Sequence, residues 1–98
     1  MVDQLASTDE DRQRFAAVGR ALADPKRLCV LESLADGELS VGDLSTRVSC
    51  QVPNKCQHLA VMRSAGLVST RREGSTIFYR LTDTRVLEAY KLIQTIAR

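Results

Sequence analysis

The sequence predicts a mainly helical single domain, residues 1–98, with a β-hairpin near its end, on three observations. Apolar residues recur at helical spacing up to about Ala65 and again from Asp83, and each stretch starts near a capping residue. Between them Ile77, Tyr79 and Leu81 alternate with Phe78 and Arg80, the two-residue period of a strand. Gly74-Ser75 breaks the extended region where a hairpin must turn, and Gly66 can close the preceding helix in the left-handed conformation. Two short helices joined by a turn and running straight into a basic hairpin, all between Glu38 and Leu81, have the order of a winged helix-turn-helix.

The elements follow in order. After a polar lead-in, Asp9 or Asp11 can start a first helix whose apolar positions are Phe15, Val18 and Leu22 and which ends near Ala23. Asp24 caps a second helix, with Pro25 in the first turn where its missing N–H costs nothing, and Leu28, Leu31, Leu34 and Ala35 facing inward. Asp36-Gly37 ends it. Ser40 caps a short third helix with Val41, Leu44 and Val48 inward, and Asp43 completes a capping-box-like closure. The turn follows at Ser49-Cys50. A fourth helix runs from about Val52 to Ala65, its first turn tolerating Pro53. A fifth spans about Asp83 to Ala97 and carries two apolar strips, Val86, Tyr90, Ile93 and Ala97 beside Ala89, Leu92 and Ile96. One strip covers its own domain, and the first helix of a second subunit would cover the other.

Composition excludes several classes. A 98-residue chain is near the lower end of what supports a core without staples, so a homodimer is expected. A net charge of +2 is no bulk polycation and leaves only local basic patches to meet phosphate. There is no membrane-length apolar run and no secretory signal at Met1-Val2-Asp3-Gln4, so a cytoplasmic protein without a membrane partner is expected. The three cysteines, Cys29, Cys50 and Cys56, are odd in number and lack zinc-ribbon spacing, so reduced thiols are expected. One histidine, no glycine-rich loop and no convincing carboxylate pair argue against an enzyme, a metal site or a cofactor.

The fourth helix has two unlike faces. Val52, Cys56, Leu59 and Met62 fall toward one side, and Asn54, Gln57, His58 and Val61 toward the other. Asn and Gln can pair with adenine edges, His can donate to guanine or phosphate, and Val61 can meet a thymine methyl. The plain alternative is a solvated helix face, and on this face alone the two readings weigh evenly. The short helix before it and the hairpin after it tip the balance toward double-stranded DNA. Arg71 and Arg72 flank the hairpin tip, where guanidinium groups reach phosphates or a minor groove, although an exposed charged hairpin explains either one singly. The expected DNA-binding set is Ser40, Gln51, Asn54, Lys55, Gln57, His58, Arg71, Arg72 and Ser75. The rival function is a winged helix that binds only protein, which should prefer a more apolar exposed face.

The run from Arg20 to Leu28 (Arg-Ala-Leu-Ala-Asp-Pro-Lys-Arg-Leu), the run from His58 to Val68 and Arg71-Arg72-Glu73-Gly74 together resemble the ArsR/SmtB family of bacterial repressors, from about Phe15 to Ile96. The resemblance implies a homodimeric winged-helix repressor that binds an imperfect palindrome in its own promoter region and leaves when an inducer binds. The inducer there is often a metal or metalloid, and in some members an oxidant or reactive sulfur species.

The inducer chemistry departs from those relatives. Where arsenic-, lead- and cadmium-responsive members have Glu-Leu-Cys-Val-Cys-Asp-Leu, this chain has Glu38-Leu39-Ser40-Val41-Gly42-Asp43-Leu44, without either thiolate a soft metalloid needs. Where zinc-, nickel- and cobalt-responsive members place histidine in the last helix, this chain offers only Asp83 and Glu88. The later fourth-helix cysteines of a cadmium-responsive subgroup correspond to Val61 and Ala65. The inducer is therefore unassigned, and Cys29, Cys50 and Cys56 remain as candidate thiol sensors. Each also reads as a small hydrophobe. Cys50 takes the place of an apolar residue closing the turn. Cys56 takes the place of a usual serine on the core-side edge, beside Lys55. Cys29 projects near Glu32 and Ser33, one turn after Lys26, which would favour a thiolate.

Overall fold

The computed structural model describes residues 5–47 and 54–98. Helices α1 (Asp9–Ala21), α2 (Pro25–Ser33), α3 (Val41–Arg47), α4 (Lys55–Ser64) and α5 (Arg85–Ala97) are joined by strands β1 (Leu39–Ser40), β2 (Val68–Glu73) and β3 (Thr76–Leu81). The strands form one antiparallel sheet in the order β1-β3-β2. The mainly helical domain with a hairpin is therefore present. Strand β1 was not anticipated: two residues carry too little pattern, and Leu39 and Ser40 become a strand only because Tyr79 and Phe78 pair with them.

The helix starts follow local chemistry. Helix α1 starts at Asp9, one of the two expected starts, and its cap is Thr8, whose hydroxyl accepts from the Asp11 N–H at 3.1 Å. Asp24 caps α2 as expected, its carboxylate accepting from the Lys26 N–H at 2.7 Å and the Arg27 N–H at 3.4 Å, with Pro25 in the first turn. Those N–H groups, the Lys26 one first, hold the Asp24 carboxyl below its ordinary range. Ser40 and Asp43 close the expected capping box: Ser40 Oγ accepts from the Asp43 N–H at 3.0 Å, and Asp43 accepts from the Ser40 N–H at 3.3 Å. Gly66, at φ +81°, closes α4 as the Leu67 N–H reaches back to the Met62 carbonyl at 2.9 Å.

The core gathers Val30 and Leu31 of α2, Leu34 at its C-cap, Leu39, Leu44, Leu59, Met62, Leu67, Val68 and Tyr90 around the buried Ala21. Leu28 and Val18 pack against it partly buried. Some expected inward positions face out. Ala35 is exposed and Val30 takes its place. Phe15 is 59% exposed, because α1 turns that edge away from its own domain. Val48 and Val52 lie outside the described residues.

Helix α5 splits its two strips differently from the prediction. Val86, Leu87 and Tyr90 meet the core, while Leu92, Ile93 and Ile96 stand exposed at 66, 45 and 83%. Ile93 thus joins the outward strip. The Tyr90 hydroxyl donates to the Glu32 carboxylate, which ties α5 to α2 and raises the Tyr90 pKa above its ordinary value. Leu92, Ile93 and Ile96 lie within five residues on one helix, and Phe15 is a further exposed apolar side chain on α1.

Candidate nucleic-acid interface

The helix-turn-helix and wing meet at β1. Ser40 ends β1 and starts α3, while Leu39 and Ser40 pair with Tyr79 and Phe78 of β3, so the sheet and the short helix share one strand. Register pairs Val68 with Leu81, Thr70 with Tyr79, Arg71 with Phe78 and Glu73 with Thr76, leaving Gly74 and Ser75 as the hairpin turn. Gly74 has φ +62°, which a side chain rarely adopts. By alternation Val68, Thr70, Tyr79 and Leu81 line the face toward the core, and Ser69, Arg71, Phe78 and Arg80 the opposite face. Arg72 and Ile77 continue the core-side face out to the exposed tip.

The two wing arginines, alike in the sequence, have different surroundings. The Arg71 guanidinium lies 4.4 Å over the Phe78 ring, donates from Nε to both Glu38 carboxylate oxygens at 2.9 Å, and pairs through Nη1 with Glu73 at 2.7 Å. Its charge is answered within the domain, and its pKa is raised, first by the Glu38 hydrogen bonds and then by Glu73. Arg72 is exposed and has no ion pair among the described residues. Arg80 donates to Ser69 Oγ at 3.3 Å and adds to the positive field on Glu38.

On α4, Leu59 and Met62 are buried and Gln57 and Val61 exposed, as the two-faced pattern requires. Three residues depart from it. Asn54 is not on the helix face: it precedes the helix with φ +57° and ψ +40° and makes no side-chain cap. Asn tolerates that left-handed conformation better than other side chains, which explains its presence at a helix entry. Cys56 is exposed although it lies on the side of Leu59 and Met62: it falls in the first turn of the helix, one turn before the first of those buried residues. His58 is only half-exposed, and its Nδ1 lies 3.3 Å from Arg27 Nη1. Arg20 of α1 lines a shallow cleft with Gln57 and Val61, bringing a second exposed cation beside the reading face.

Of the other expected site residues, Ser75 is exposed at the hairpin turn and Ser40 has its hydroxyl engaged in the α3 cap. Lys55 begins α4, and Gln51 lies outside the described residues. Cys50 lies outside them too. Cys56 is a free exposed thiol, whereas Cys29 is half-buried and held in a disulfide, which corrects the expectation of a reduced, partly accessible Cys29. Cysteine count alone could not distinguish those two fates. Among the described residues no group of histidine, cysteine and acidic side chains is arranged to hold a metal. Asp83 is instead engaged by Arg85, whose hydrogen bonds push its pKa down to about 2.

Arg27 is the residue the sequence reading passed over. Lys26 and Arg27 put two cations in the first turn of α2, where the positive end of the helix dipole disfavours them. That misfit was the available signal. Arg27 turns back to the negative end of α1, donating to the Ala21 and Arg20 carbonyls at 2.8 Å each, with Asp24 at 3.6 Å.

Comparison with known proteins agrees with this geometry. The profile described as "Bacterial regulatory protein, arsR family" matches residues 24–70. The transcriptional regulator KmtR of Mycobacterium tuberculosis is 54% identical over 69 residues, covering 70% of this chain, and the match spans about half, 53%, of KmtR itself. The transcriptional activator HlyU of Vibrio cholerae is 37% identical over 92 residues, covering 94% of this chain and 85% of HlyU. Among solved structures, the homodimeric winged helix-turn-helix DNA-binding domain Mb0332 of Mycobacterium bovis superposes with a TM-score of 0.76 at 33% identity, covering 94% of this chain and 88% of that one. With its capped α3, paired wing and exposed face of α4, the chain belongs to the ArsR family and is a DNA-binding transcriptional regulator.

Proposed function

We propose that the chain acts as a homodimeric repressor that places α4 in the major groove of each operator half-site and sets the wing tip against the neighbouring backbone. The observation that carries this reading is the exposed Gln57 and Val61 face of α4 with Arg20 beside it, together with the exposed Arg72 of the wing, neither arginine having an ion pair among the described residues. Gln57 can form paired hydrogen bonds to adenine and Val61 can meet a thymine methyl, while the flanking arginines supply charge for phosphate. Phe15 on α1 and Leu92, Ile93 and Ile96 on α5 are the exposed apolar side chains that a second copy would cover, and a twofold dimer matches a palindromic site. Ser75 stands at the wing tip, where it would approach the backbone, and Lys55 is the first residue of α4. No helix among the described residues is long and apolar enough to cross a membrane, and the working compartment on this reading is the cytoplasm.

Release is proposed to run through thiol chemistry at Cys56, the exposed free thiol one residue before Gln57. Oxidation or persulfidation there adds bulk and charge beside the reading residues. The test is site selection from a random DNA pool, then a salt series on the selected duplex and a reporter driven from it. A palindromic site, a steep salt dependence and a reporter that rises when the protein is removed support the reading. Selection of no sequence, with capture of protein partners only, would leave a protein-interaction module. A reporter that falls on removal would make the chain an activator, the role in HlyU's name.

A further inference from the structure

We propose that Arg27 is a specificity-determining positioning residue: it fixes which hydrogen-bonding group His58 offers to DNA. This rests on the reading that α4 lies against DNA. A guanidinium carries five N–H donors and no lone pair. Arg27 spends Nε on the Ala21 carbonyl and Nη2 on the Arg20 carbonyl, each at 2.8 Å, and turns Nη1 to His58 Nδ1 at 3.3 Å. Nδ1 is therefore an acceptor, and the proton of the neutral ring sits on Nε2.

The direction of control follows from how each side chain is held. Arg27 is anchored by two carbonyls of α1 and by Asp24, 3.6 Å away, with its side chain 15% exposed. His58 is held at Nδ1 by Arg27 alone among the described residues. The planar fork of Arg27 thus sets the ring, not the reverse. With Nδ1 engaged by Arg27, the ring nitrogen left for DNA is a donor only. A donor suits the N7 and O6 acceptors of guanine and opposes the exocyclic amine donors of cytosine and adenine. The same three contacts join the end of α1, the start of α2 and the reading helix, so a shift of α1 reaches His58 through a single side chain.

The experiment follows the ring nitrogens of His58 by 15N NMR in the folded wild type, Arg27→Met and Arg27→Lys, above the titration of histidine. Each protein is also titrated with the selected operator and with operators altered at each base pair. The wild type is expected to show a single Nε2–H form. In Arg27→Met the two ring resonances draw together as both tautomers become populated, and discrimination at one base pair falls about tenfold. Arg27→Lys keeps a cation for the α1 carbonyls, so it guards against a folding defect, but a single ammonium cannot hold both carbonyls and the ring. It should show the same ring signature. Ring resonances unchanged in both variants, or a wild-type proton on Nδ1, overturn the proposal whatever the DNA does. The expected ring signature with an unchanged preference at every base pair overturns the specificity role. A wild type that prefers no sequence at all overturns the underlying DNA reading.

Discussion

Arg71 and Glu38, 33 residues apart in the chain, meet in a forked ion pair at 2.7 to 2.9 Å that reaches across the sheet from β2 to the residue before β1. The guanidinium passes over Phe78 of the intervening strand, so one side chain braces all three strands. The wing is thereby fixed relative to the β1–α3 corner. Arg71→Ala is expected to leave the salt dependence of DNA binding nearly unchanged, because its charge is already answered by Glu38 and Glu73. Arg72→Ala is expected to reduce the salt slope by about one. Equal slopes for the two variants would place both arginines on the backbone or neither.

The same pair makes the wing acid-sensitive. The Arg71 hydrogen bond holds the Glu38 carboxyl below its ordinary value of 4.5. A carboxyl depressed in the folded state contributes stability that is full above its unfolded pKa and is lost as pH falls through the folded one. Amide exchange at Leu39, Ser40 and Arg71 should therefore accelerate only below about pH 4.5, through loss of this contact. In Glu38→Gln that acid-dependent step should be missing. A step of equal size in the variant would assign it to another group.

Gln57→Ala is expected to weaken operator binding by about 1–3 kcal/mol and to change nonspecific binding much less. Asn54, with φ +57°, is expected to behave as a backbone residue: Asn54→Gly should hold affinity, whereas Asn54→Val should destabilise the domain by about 1–2 kcal/mol. Thermal melts and operator titrations of the three variants separate the roles. Loss of operator selectivity in Asn54→Gly would return that side chain to the reading set.

Leu92→Glu and Ile96→Glu place charges on the outward strip of α5, where the wild-type side chains are 66 and 83% exposed in the single chain. Both should fold and sediment as monomers, and both should lose most operator affinity, since two half-sites would no longer be held by one particle. A dimer that survives both changes would move the subunit contact elsewhere.

Mild oxidant or polysulfide is expected to lower the operator affinity of the wild type without dissociating the dimer. Cys56→Ser should resist, because its thiol is the exposed free one. Zinc, nickel, cobalt and arsenite should be weak effectors, since the stretch from Ser40 to Asp43 supplies no thiolate and Asp83 is engaged by Arg85. Release by a metal that persists in all single cysteine variants would sink the thiol reading.

Local chemistry was legible in the chain by itself. Asp24 before Pro25, the Ser40 and Asp43 box, Gly66 after α4 and Gly74 in the hairpin each act through hydrogen bonds or backbone freedom within a few residues, so their places could be read directly. The alternation of β3 and the buried pair Leu59 and Met62 were equally readable, because one face of each element must leave water. Tertiary structure decided what depends on residues far away in sequence. Strand β1 exists only against β3, and Arg71 differs from Arg72 because Glu38, Glu73 and the Phe78 ring surround it. Arg27 finds its acceptors on the preceding helix and on His58, 31 residues on, and Cys56, in the first turn of α4, is exposed although Leu59 and Met62 after it are buried. Periodicity specifies which face of a helix is apolar, but the partners of a polar side chain are set by the packing of whole elements, and those partners separate the side chains left to meet DNA from those that brace the domain.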